Sequence, residues 1–430
     1  MKVLVLSNTP WDDNDSFGNT YSNIFQGMND LEFINIYCRS GKPNNGLPMK
    51  CFQITTKKMA RSIFLRGSTQ IGQEVDKVSS DAEILEGTSA SAFNFARKKR
   101  WIILFWIREL VWLLGNWKSK QLMQFLDENK PDVIFQPIYG QGYAYINRIA
   151  LFIKKYTGVP MFSYISDDCY SLRQFSLSPL YWIDRLARRP IMRKVILSSE
   201  ILYVVSEVQK REYEDMLHVP CKVLTKGIKK EELQKTIEKT NYPHYLMIYA
   251  GNIGEGRWKS LSLIGEALDE VALDGITCDL EIYTRSIVTD RMKSALTGSH
   301  IHLKGAVTAA EVQELSNKAD ILLHVESLDY KDSLIIHQSF STKLVDLMKC
   351  GKCIFAVGPK DAASIEHLSS NDAAIVVVNK EQVGSRLKHL LQSDSLILEY
   401  GVKAQNCGLK YHDLRMMQKM LNDDFVRSLS

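Results

Sequence analysis

The sequence predicts an α/β protein made of two doubly wound parallel-sheet domains that face each other across a cleft. Short apolar runs alternate with segments of helical periodicity, which is the pattern of parallel β-α-β units. This alternation occurs twice, before and after a connector rich in lysine and glutamate between Gly227 and Tyr242. A length of 430 residues has room for two or three ordinary domains.

The first series of elements precedes the connector, and its apolar runs are typical of buried parallel strands. The predicted strands are Lys2–Leu6, Phe33–Tyr37, Val133–Gln136, Met161–Ile165 and Ile201–Val205. The predicted helices include Tyr21–Met28, Ile146–Tyr156 and Val208–Met216. We assign residues 1–228 to a first, acceptor-side Rossmann-like domain.

The second series follows the connector and has the same character. The predicted strands are Tyr245–Ala250, Cys278–Tyr283, Ile301–Leu303, Ile321–Val325, Cys353–Val357 and Ala374–Val378. The predicted helices are Leu261–Ala272, Ala309–Ala319, Thr342–Lys349 and Lys380–Gln392, with a final helix at Asp413–Leu429. We assign residues 229–408 to a second Rossmann-like domain and expect residues 409–430 to pack back on the first.

The composition is that of a soluble globular protein, with 45% hydrophobic and 24% charged residues. A net charge of +5 permits an anionic partner but does not predict nucleic acid. The eight cysteines are scattered without metal-ligand spacing, which indicates a reduced, cytoplasmic chain. Cys350 and Cys353 form a C-x-x-C pattern, but we interpret them as small buried residues at a helix end and a strand start.

The apolar run Trp101–Leu114 is shorter than the roughly 20 residues that span a bilayer, and Arg108 and Glu109 interrupt it. Two interpretations remain open. In one it is a largely buried helix with the two charges at its exposed edge. In the other it lies in a membrane interface, where its basic flank meets anionic lipid and its tryptophans enter the headgroup layer. The second would make the protein peripheral on the inner face of a membrane.

A predicted helix begins at Ser341-Thr342-Lys343. Helix N-termini carry unpaired N–H groups and a positive dipole end, so phosphates bind there. The two hydroxyls and the lysine would add donors to such a site. Asp346, one turn further on, is placed to accept the hydroxyl groups of a ribose. The alternative is an N-cap serine beside a solvated lysine.

A glycine-rich turn follows the strand at Tyr245–Ala250 and leads into a helix. The glycines of this turn, beginning with Gly251, let the backbone approach a ligand closely, and Asn252 is a candidate ligand residue beside them. Arg257 offers a guanidinium for bidentate phosphate binding, and Lys259 a further charge. The spacing G-x-x-G-x-G differs from the dinucleotide fingerprint, so a tight turn with surface cations is the alternative.

The order YAGNIGEGRWKSL, HLKGAV, ADILLHVES and FSTKLVDLMKCGKCIFAVGP, within residues 245–390, resembles the C-terminal half of GT-B nucleotide-sugar glycosyltransferases. More narrowly, it is similar to the retaining family called glycosyl transferases group 1. The resemblance implies that Arg257 and Lys343 hold the diphosphate of the donor, that Lys259 contributes less, and that Asp346 binds the ribose. It implies no metal and no cofactor, because basic side chains and helix dipoles neutralise the diphosphate.

The chain departs from the family pattern at Gln338, where the resemblance implies a glutamate eight positions before the second acid. Glu326, in HVES, either supplies a carboxylate to the same cleft or is an exposed acid at a strand end, and we favour the exposed acid.

The first half offers acceptor-side candidates. Gly18 matches the position where a glycine turn opens the first helix. Asp167 and Asp168 follow the strand Met161–Ile165, where carboxylates can orient an acceptor hydroxyl or accept its proton. The alternative for this pair is an Asx turn. All nine histidines lie beyond residue 200, which excludes a histidine base on these loops.

We therefore expect a glycosyltransferase that moves a sugar from a nucleoside diphosphate sugar to a hydroxyl of a glycan or lipid-linked acceptor. The catalytic candidates are Asp167, Asp168, Arg257 and Lys343, and retention of configuration is what the resemblance implies. One alternative is a non-catalytic GT-B-like subunit that binds a membrane or a partner enzyme. Another is a nucleotide-sugar epimerase.

Overall fold

The computed structural model describes residues 1–64, 70–76, 102–140, 142–237 and 240–430. In this part of the chain two sheets of eight and six strands form two units, each a sheet covered by helices. Both sheets are parallel except for one antiparallel edge strand in the first. The predicted fold class, two doubly wound α/β units, is confirmed.

The first unit has the strand order β4-β3-β2-β1-β5-β6-β7-β8. Its strands are β1 (Lys2–Ser7), β2 (Glu32–Tyr37), β3 (Met49–Ile54), β4 (Gly72–Glu74), β5 (Val133–Pro137), β6 (Met161–Ile165), β7 (Leu202–Val204) and β8 (Cys221–Val223). Its helices are α1 (Ser16–Phe25), α2 (Thr56–Phe64), α3 (Ile102–Leu114), α4 (Lys120–Asn129), α5 (Ala144–Thr157), α6 (Pro179–Leu197) and α7 (Glu207–Leu217).

The second unit has the strand order β11-β10-β9-β12-β13-β14. Its strands are β9 (His244–Ala250), β10 (Thr277–Tyr283), β11 (Ile301–Gly305), β12 (Ile321–Val325), β13 (Cys353–Val357) and β14 (Ile375–Val377). The helices that follow the connector are α8 (Arg257–Ala272), α9 (Asp290–Ala295), α10 (Ala309–Lys318), α11 (Tyr330–Ile336), α12 (Thr342–Lys349), α13 (Ala363–Ser370), α14 (Val383–Leu391), α15 (Asp394–Tyr411) and α16 (Leu414–Leu429).

The start of α1 differs from the predicted helix Tyr21–Met28 because a cap in the preceding loop begins it earlier. The Asp15 side chain accepts a hydrogen bond from the backbone N–H of Gly18 at 2.6 Å. A Cβ at Gly18 would lie 1.9 Å from the carbonyl oxygen of Asp12, so only glycine fits in this first turn.

Two apolar clusters cover the faces of the first sheet. On one face α1 and α16 pack against the strands through residues such as Phe25 and Phe425. This cluster continues into the second unit through Leu344 and Ile354, so the two units share one core. On the opposite face α3 to α6 pack through residues such as Trp112.

The last helix, α16, lies against the first sheet and not the second. The Phe162 and Phe425 rings lie 4.8 Å apart, and the Tyr203 hydroxyl donates to Asp424 at 2.9 Å. The chain therefore crosses between the units twice. The crossings are adjacent, because Ile228 N donates to His412 O at 2.6 Å.

The charges of α3 face the protein, contrary to the exposed edge that we predicted for them. Glu109 forms an ion pair with Arg148 of α5 at 3.0 Å, and its side chain is only 15% exposed. Arg108 is half-buried and donates to the carbonyl oxygen of Gly142. Because the polar side of the helix is turned inwards, its aliphatic side is left in solvent.

The tryptophans of α3 that the structure describes also point inwards. Trp112 is fully buried and donates to Thr56 Oγ1 at 3.1 Å, and Trp106 donates to Asp184 at 2.9 Å. Trp101 lies outside the described residues. The helix is therefore not largely buried, which contradicts the first interpretation, and its described tryptophans do not face out as the second expected. Contact with a membrane surface stays a prediction.

Candidate active site

A cavity of about 830 Å³ lies between the two units, at the carboxyl ends of the strands. The first unit contributes an aromatic wall and an acid to it, namely Phe17, Tyr21, Tyr139, Tyr164 and Asp167. The second unit contributes a polar and basic wall, namely Gly251, Asn252, Arg257, Glu326, Ser341, Thr342 and Lys343. Most of the candidates from the two halves of the sequence thus line one cavity.

The basic wall is built from the N-termini of α8 and α12. Arg257 is the first residue of α8, and Thr342 is the first residue of α12. Ser341 is the N-cap of α12, but its side chain accepts no hydrogen bond from the helix. The first turn of α12 therefore keeps N–H donors for a ligand, at the positive end of the helix dipole.

Lys343 extends from α12 to the end of β9. Its Nζ donates to the carbonyl oxygen of Ala250 at 3.4 Å. Burial, together with the nearby Arg257 guanidinium, lowers its pKa from the ordinary value. In the described part of the chain it forms no ion pair with a carboxylate. A cation that is partly desolvated and without a counter-ion attracts an anionic ligand.

Arg257 is held between two carboxylates. Its Nη1 lies 3.0 Å from Glu255 and its Nη2 lies 2.7 Å from Glu326. Glu326 is 7% exposed, which contradicts the exposed strand-end acid that we favoured. Burial raises the pKa of Glu326 to about 7, although the Arg257 guanidinium opposes the shift. The cleft thus contains an acid whose charge changes near neutral pH.

The turn before α8 contains two residues in the left-handed backbone conformation. They are Glu255 and Gly256, with φ values of 53° and 78°. A Cβ at Gly256 would lie 2.2 Å from Ser327 Oγ. The Asn252 side chain accepts from Gly254 N at 2.8 Å, which shapes the turn, and Gly251 precedes it in the cavity wall.

Two of the residues predicted to bind the donor substrate do not line the cavity. Lys259 forms an ion pair with Asp329 on the outer side of α8. Asp346 contacts Lys226, which follows β8 of the first unit, with both carboxylate oxygens at 2.7 and 2.9 Å. These contacts with Lys226 leave one lone pair on each Asp346 oxygen, and the side chain is 40% exposed.

Asp167 and Asp168 are adjacent in the chain but have different surroundings. Asp168 is buried, pairs with Arg185 at 2.9 Å and accepts from the backbone of Tyr170 and Ser171. These contacts are those of the Asx-turn alternative, so its oxygens hold the loop after β6.

Both aspartates line the cavity, but the Asp167 side chain is the more exposed of the two. Its carboxylate is accessible from the cavity, and one oxygen lies 3.4 Å from Ser339 Oγ of the second unit. Desolvation between the two units raises its pKa, an effect that Ser339 opposes. Of the two aspartates, Asp167 is therefore the one whose carboxylate is open to the cavity.

Gly18 does not line the cavity, but it positions the residues that do. Its neighbours Phe17, Thr20 and Tyr21 belong to the cavity wall. The Phe17 and Tyr21 rings are 4.3 Å apart and continue towards Tyr139. These rings are tilted against one another and form an aromatic wall on the first unit's side of the cavity.

Among the polar residues that line the cavity, Glu255, His324 and Ser339 were not candidates from the sequence. His324 is buried on β12 and bonded to Ser364 at 2.8 Å, and desolvation lowers its pKa to about 4. It therefore stays neutral in the wall. Ser339 could have been found from FSTK, since it directly precedes this four-residue motif at the start of a helix, whereas no sequence signal indicated His324.

Gln338, the departure from the family pattern, is fully buried at the junction of the units. Its Nε2 donates to Glu212 of α7, and the adjacent His337 also contacts Glu212. A glutamate at this position would place two carboxylates against each other. Glu212 thus explains in physical terms why an amide stands here.

In the described ranges, no group of three or more histidine, cysteine, aspartate or glutamate side chains is placed to hold a metal ion. All eight cysteines are buried thiols, including the two of the C-x-x-C pattern.

No protein-family model matches the chain, and no curated protein sequence matches it. Among solved structures, sucrose-phosphate synthase from Thermosynechococcus elongatus is similar at 7% identity and a TM-score of 0.64, over 99% of both chains. Anabaena HepE in complex with UDP and glucose is similar at 9% identity and a TM-score of 0.61, over 99% of this chain and 100% of that one.

A trehalose-6-phosphate synthase, studied with bisubstrate glycomimetics for glycosyltransfer with retention, is similar at 10% identity and a TM-score of 0.58, over 99% of both chains. At these identities the likeness establishes the fold. The chain has the GT-B fold, and the resemblance to GT-B glycosyltransferases that its motifs indicated is confirmed.

Proposed function

We propose that this protein is a glycosyltransferase that moves a sugar from a nucleoside diphosphate sugar to a hydroxyl acceptor. The observation that carries the proposal is the convergence of Arg257, Lys343 and the first turn of α12 on one side of the cleft, opposite Asp167. Two cations and a helix N-terminus form an environment suited to a diphosphate. Solved complexes of similar proteins contain UDP and UDP-glucose, which makes UDP the first nucleotide to test.

In this reaction the bond between the sugar and the diphosphate breaks, and negative charge grows on the leaving oxygen. Arg257, Lys343 and the N–H groups at Ser341 and Thr342 would stabilise that charge. We propose that no metal is needed, because these basic side chains and the helix dipole would neutralise the diphosphate. No cofactor is needed, because the nucleotide sugar is itself a substrate. Asp346 would bind the ribose through the acceptor sites that its contact with Lys226 leaves open.

Asp167 would orient the acceptor hydroxyl or accept its proton from the opposite wall. Retention of the anomeric configuration is part of the proposal. It is supported by the resemblance to the retaining family and by the study of retention in a similar synthase. The aromatic wall from Phe17 to Tyr139 would receive the acceptor, which we propose to be a glycan or a lipid-linked glycan of a surface polysaccharide or glycolipid.

We further propose a cytoplasmic protein that works at the inner face of a membrane. The buried free thiols suit a reducing compartment. No helix in the described ranges is long and apolar enough to cross a bilayer.

The test of the proposal is nucleotide binding, measured as thermal stabilisation by UDP, GDP, CMP, dTDP and ADP. At about 100 times its dissociation constant a ligand stabilises by roughly 2.7 kcal/mol. We expect one nucleoside diphosphate to stabilise the protein and Lys343→Ala to remove that effect. Transfer would then be measured with the matching nucleotide sugars.

Lys259→Ala is the matched control. This lysine lies in the first turn of α8, but its side chain pairs with Asp329 outside the cavity. It should keep nucleotide binding. Equal loss in both variants, or full binding by Lys343→Ala, would contradict the site. Binding without transfer to any hydroxyl acceptor would favour a non-catalytic subunit.

A further inference from the structure

The solvent side of α3 is a row of aliphatic side chains. Ile103, Ile107 and Leu110 are 57%, 52% and 52% exposed, and their spacing places them on one side of the helix. The opposite side is fixed by the inward hydrogen bonds of Trp106 and Trp112. Proteins in solution rarely expose such contiguous apolar surface without a partner for it.

Helix α6 lies beside α3 and extends this row. The hydrogen bond from Trp106 to Asp184 joins the two helices, and both pack against α5 on the same face of the sheet. On α6, Leu180, Ile183 and Leu186 are 39%, 53% and 51% exposed. We call these six aliphatic residues of α3 and α6 the docking face.

The docking face reaches the mouth of the cleft through the loop between β6 and α6. In this loop Leu172, Phe175 and Leu177 are exposed to solvent, while Gln174 between them lines the cavity. The same loop begins beside Asp167. An apolar surface is therefore continuous with the acceptor side of the site.

The other half of α6 carries cations. Arg189, Arg193 and Lys194 line a surface pocket of about 630 Å³, and none of them forms an ion pair in the part of the chain that the structure describes. The Arg189 guanidinium lies 4.5 Å from the centre of the Tyr170 ring, with its Nε buried and not hydrogen-bonded. A buried donor without an acceptor suits an anionic group entering the pocket.

We propose that the docking face binds the surface of an anionic lipid bilayer, with the pocket of Arg189, Arg193 and Lys194 taking a lipid phosphate. Aliphatic side chains beside unpaired cations are what an interfacial helix presents to such a surface. The charge beside the docking face favours an anionic bilayer over a protein partner, because Arg189, Arg193 and Lys194 form no ion pair within the described part of the chain and a negative lipid surface would neutralise all three.

The inference deepens the proposed function, on which it rests for the role of the docking. A bilayer on this face would hold the lipid end of a lipid-linked acceptor while its sugar enters the cleft beside Asp167. Vesicle binding is measured without donor or acceptor. A protein that does not bind vesicles can therefore still bind the nucleotide through Lys343, and a protein that does not bind the nucleotide can still bind vesicles.

The experiment is flotation of the full-length protein with phosphatidylcholine vesicles, alone or with about a third phosphatidylglycerol, to give a negative surface. We expect preference for the anionic vesicles. The double variant Ile107→Ser with Leu110→Ser should weaken binding to both by at least about tenfold. Arg193→Gln with Lys194→Gln should weaken binding only to anionic vesicles, by about fivefold for each charge removed.

The matched control is Leu273→Ser with Ile287→Ser, which removes two aliphatic side chains of the second unit that are 88% and 71% exposed. It should bind vesicles as the unchanged protein does. Equal loss in this control, or no loss in the α3 variant, would overturn the proposal. A dimer that the α3 variant converts to a monomer would assign the face to a second copy. A lower unfolding temperature without vesicle release would assign it to packing within the chain.

Discussion

The sharpest prediction concerns Glu326, the buried acid that shares Arg257 with the proposed diphosphate site. Replacing it by glutamine keeps the shape of the side chain and removes its charge. We expect the affinity for a nucleoside diphosphate to fall with rising pH in the unchanged protein and to lose most of this dependence in Glu326→Gln. The reason is that an ionised Glu326 already neutralises the guanidinium that the diphosphate needs.

The magnitude follows from the position of the pKa. A change from 4.5 to about 7 favours the neutral carboxyl by roughly 3 kcal/mol. Glu326 is then about nine-tenths neutral at pH 6 and about one-tenth neutral at pH 8. If the neutral form binds, the apparent dissociation constant rises about tenfold over this interval. Because the folded-state pKa lies above the unfolded one, the stability due to this group is also lost as pH rises through about 7.

The assay is titration calorimetry with UDP in two buffers of different ionisation enthalpy, which counts the protons taken up. At about pH 8 the unchanged protein should take up nearly one proton more than Glu326→Gln. The nucleotide's own titration is common to both and cancels. Glu255→Gln is the control, because it removes a 45% exposed carboxylate from the same guanidinium. Equal proton uptake by all three proteins would refute the reasoning.

Three further substitutions test the acceptor side and the junction. Asp167→Asn should reduce transfer by about 100-fold or more while the dissociation constant of the nucleotide stays the same, as steady-state and binding assays would show. Asp168→Asn should instead destabilise the first unit by about 3–5 kcal/mol in urea, because it leaves the buried Arg185 unpaired; unchanged stability would contradict this role. Gln338→Glu should cost about 1–3 kcal/mol of stability by removing the donor to Glu212, and acidic pH should restore part of it.

The sequence was sufficient for the fold because the buried strands are continuous apolar runs. Met161–Ile165 and Cys353–Val357 have the predicted bounds. The strands that were missed lack this signal. Strand β3, Met49–Ile54, contains a lysine and a glutamine, and β4 and β8 have three residues each.

The sequence indicated which residues lie in the cavity where one short segment contains both the charged side chain and the helix start that positions it. Arg257 and Lys343 lie at helix starts in the cavity, as their motifs indicated. The surroundings that the sequence did not indicate depend on partners far away in the chain. Asp346 could not be known to contact Lys226, nor could Glu326 be known to be buried, since tertiary packing decides both.

Helix α3 shows a different limit. Its sequence is apolar on nearly every side, so hydrophobic periodicity does not determine which side is buried. Hydrogen bonds and ion pairs with α5 and α6 decide the orientation, and they turn the polar groups inwards.

The paired chain crossings have a mechanical consequence. Ile228 lies between His412 and Leu414, with backbone hydrogen bonds of 2.6 and 3.0 Å to both. Two crossings fastened side by side tie the units together along one short line of chain. Because α16 packs on the first sheet, it belongs to the first unit although it is the end of the chain. A bulky fusion after Ser430 would therefore be attached to the first unit, whereas the neighbouring α15 packs on β13 of the second.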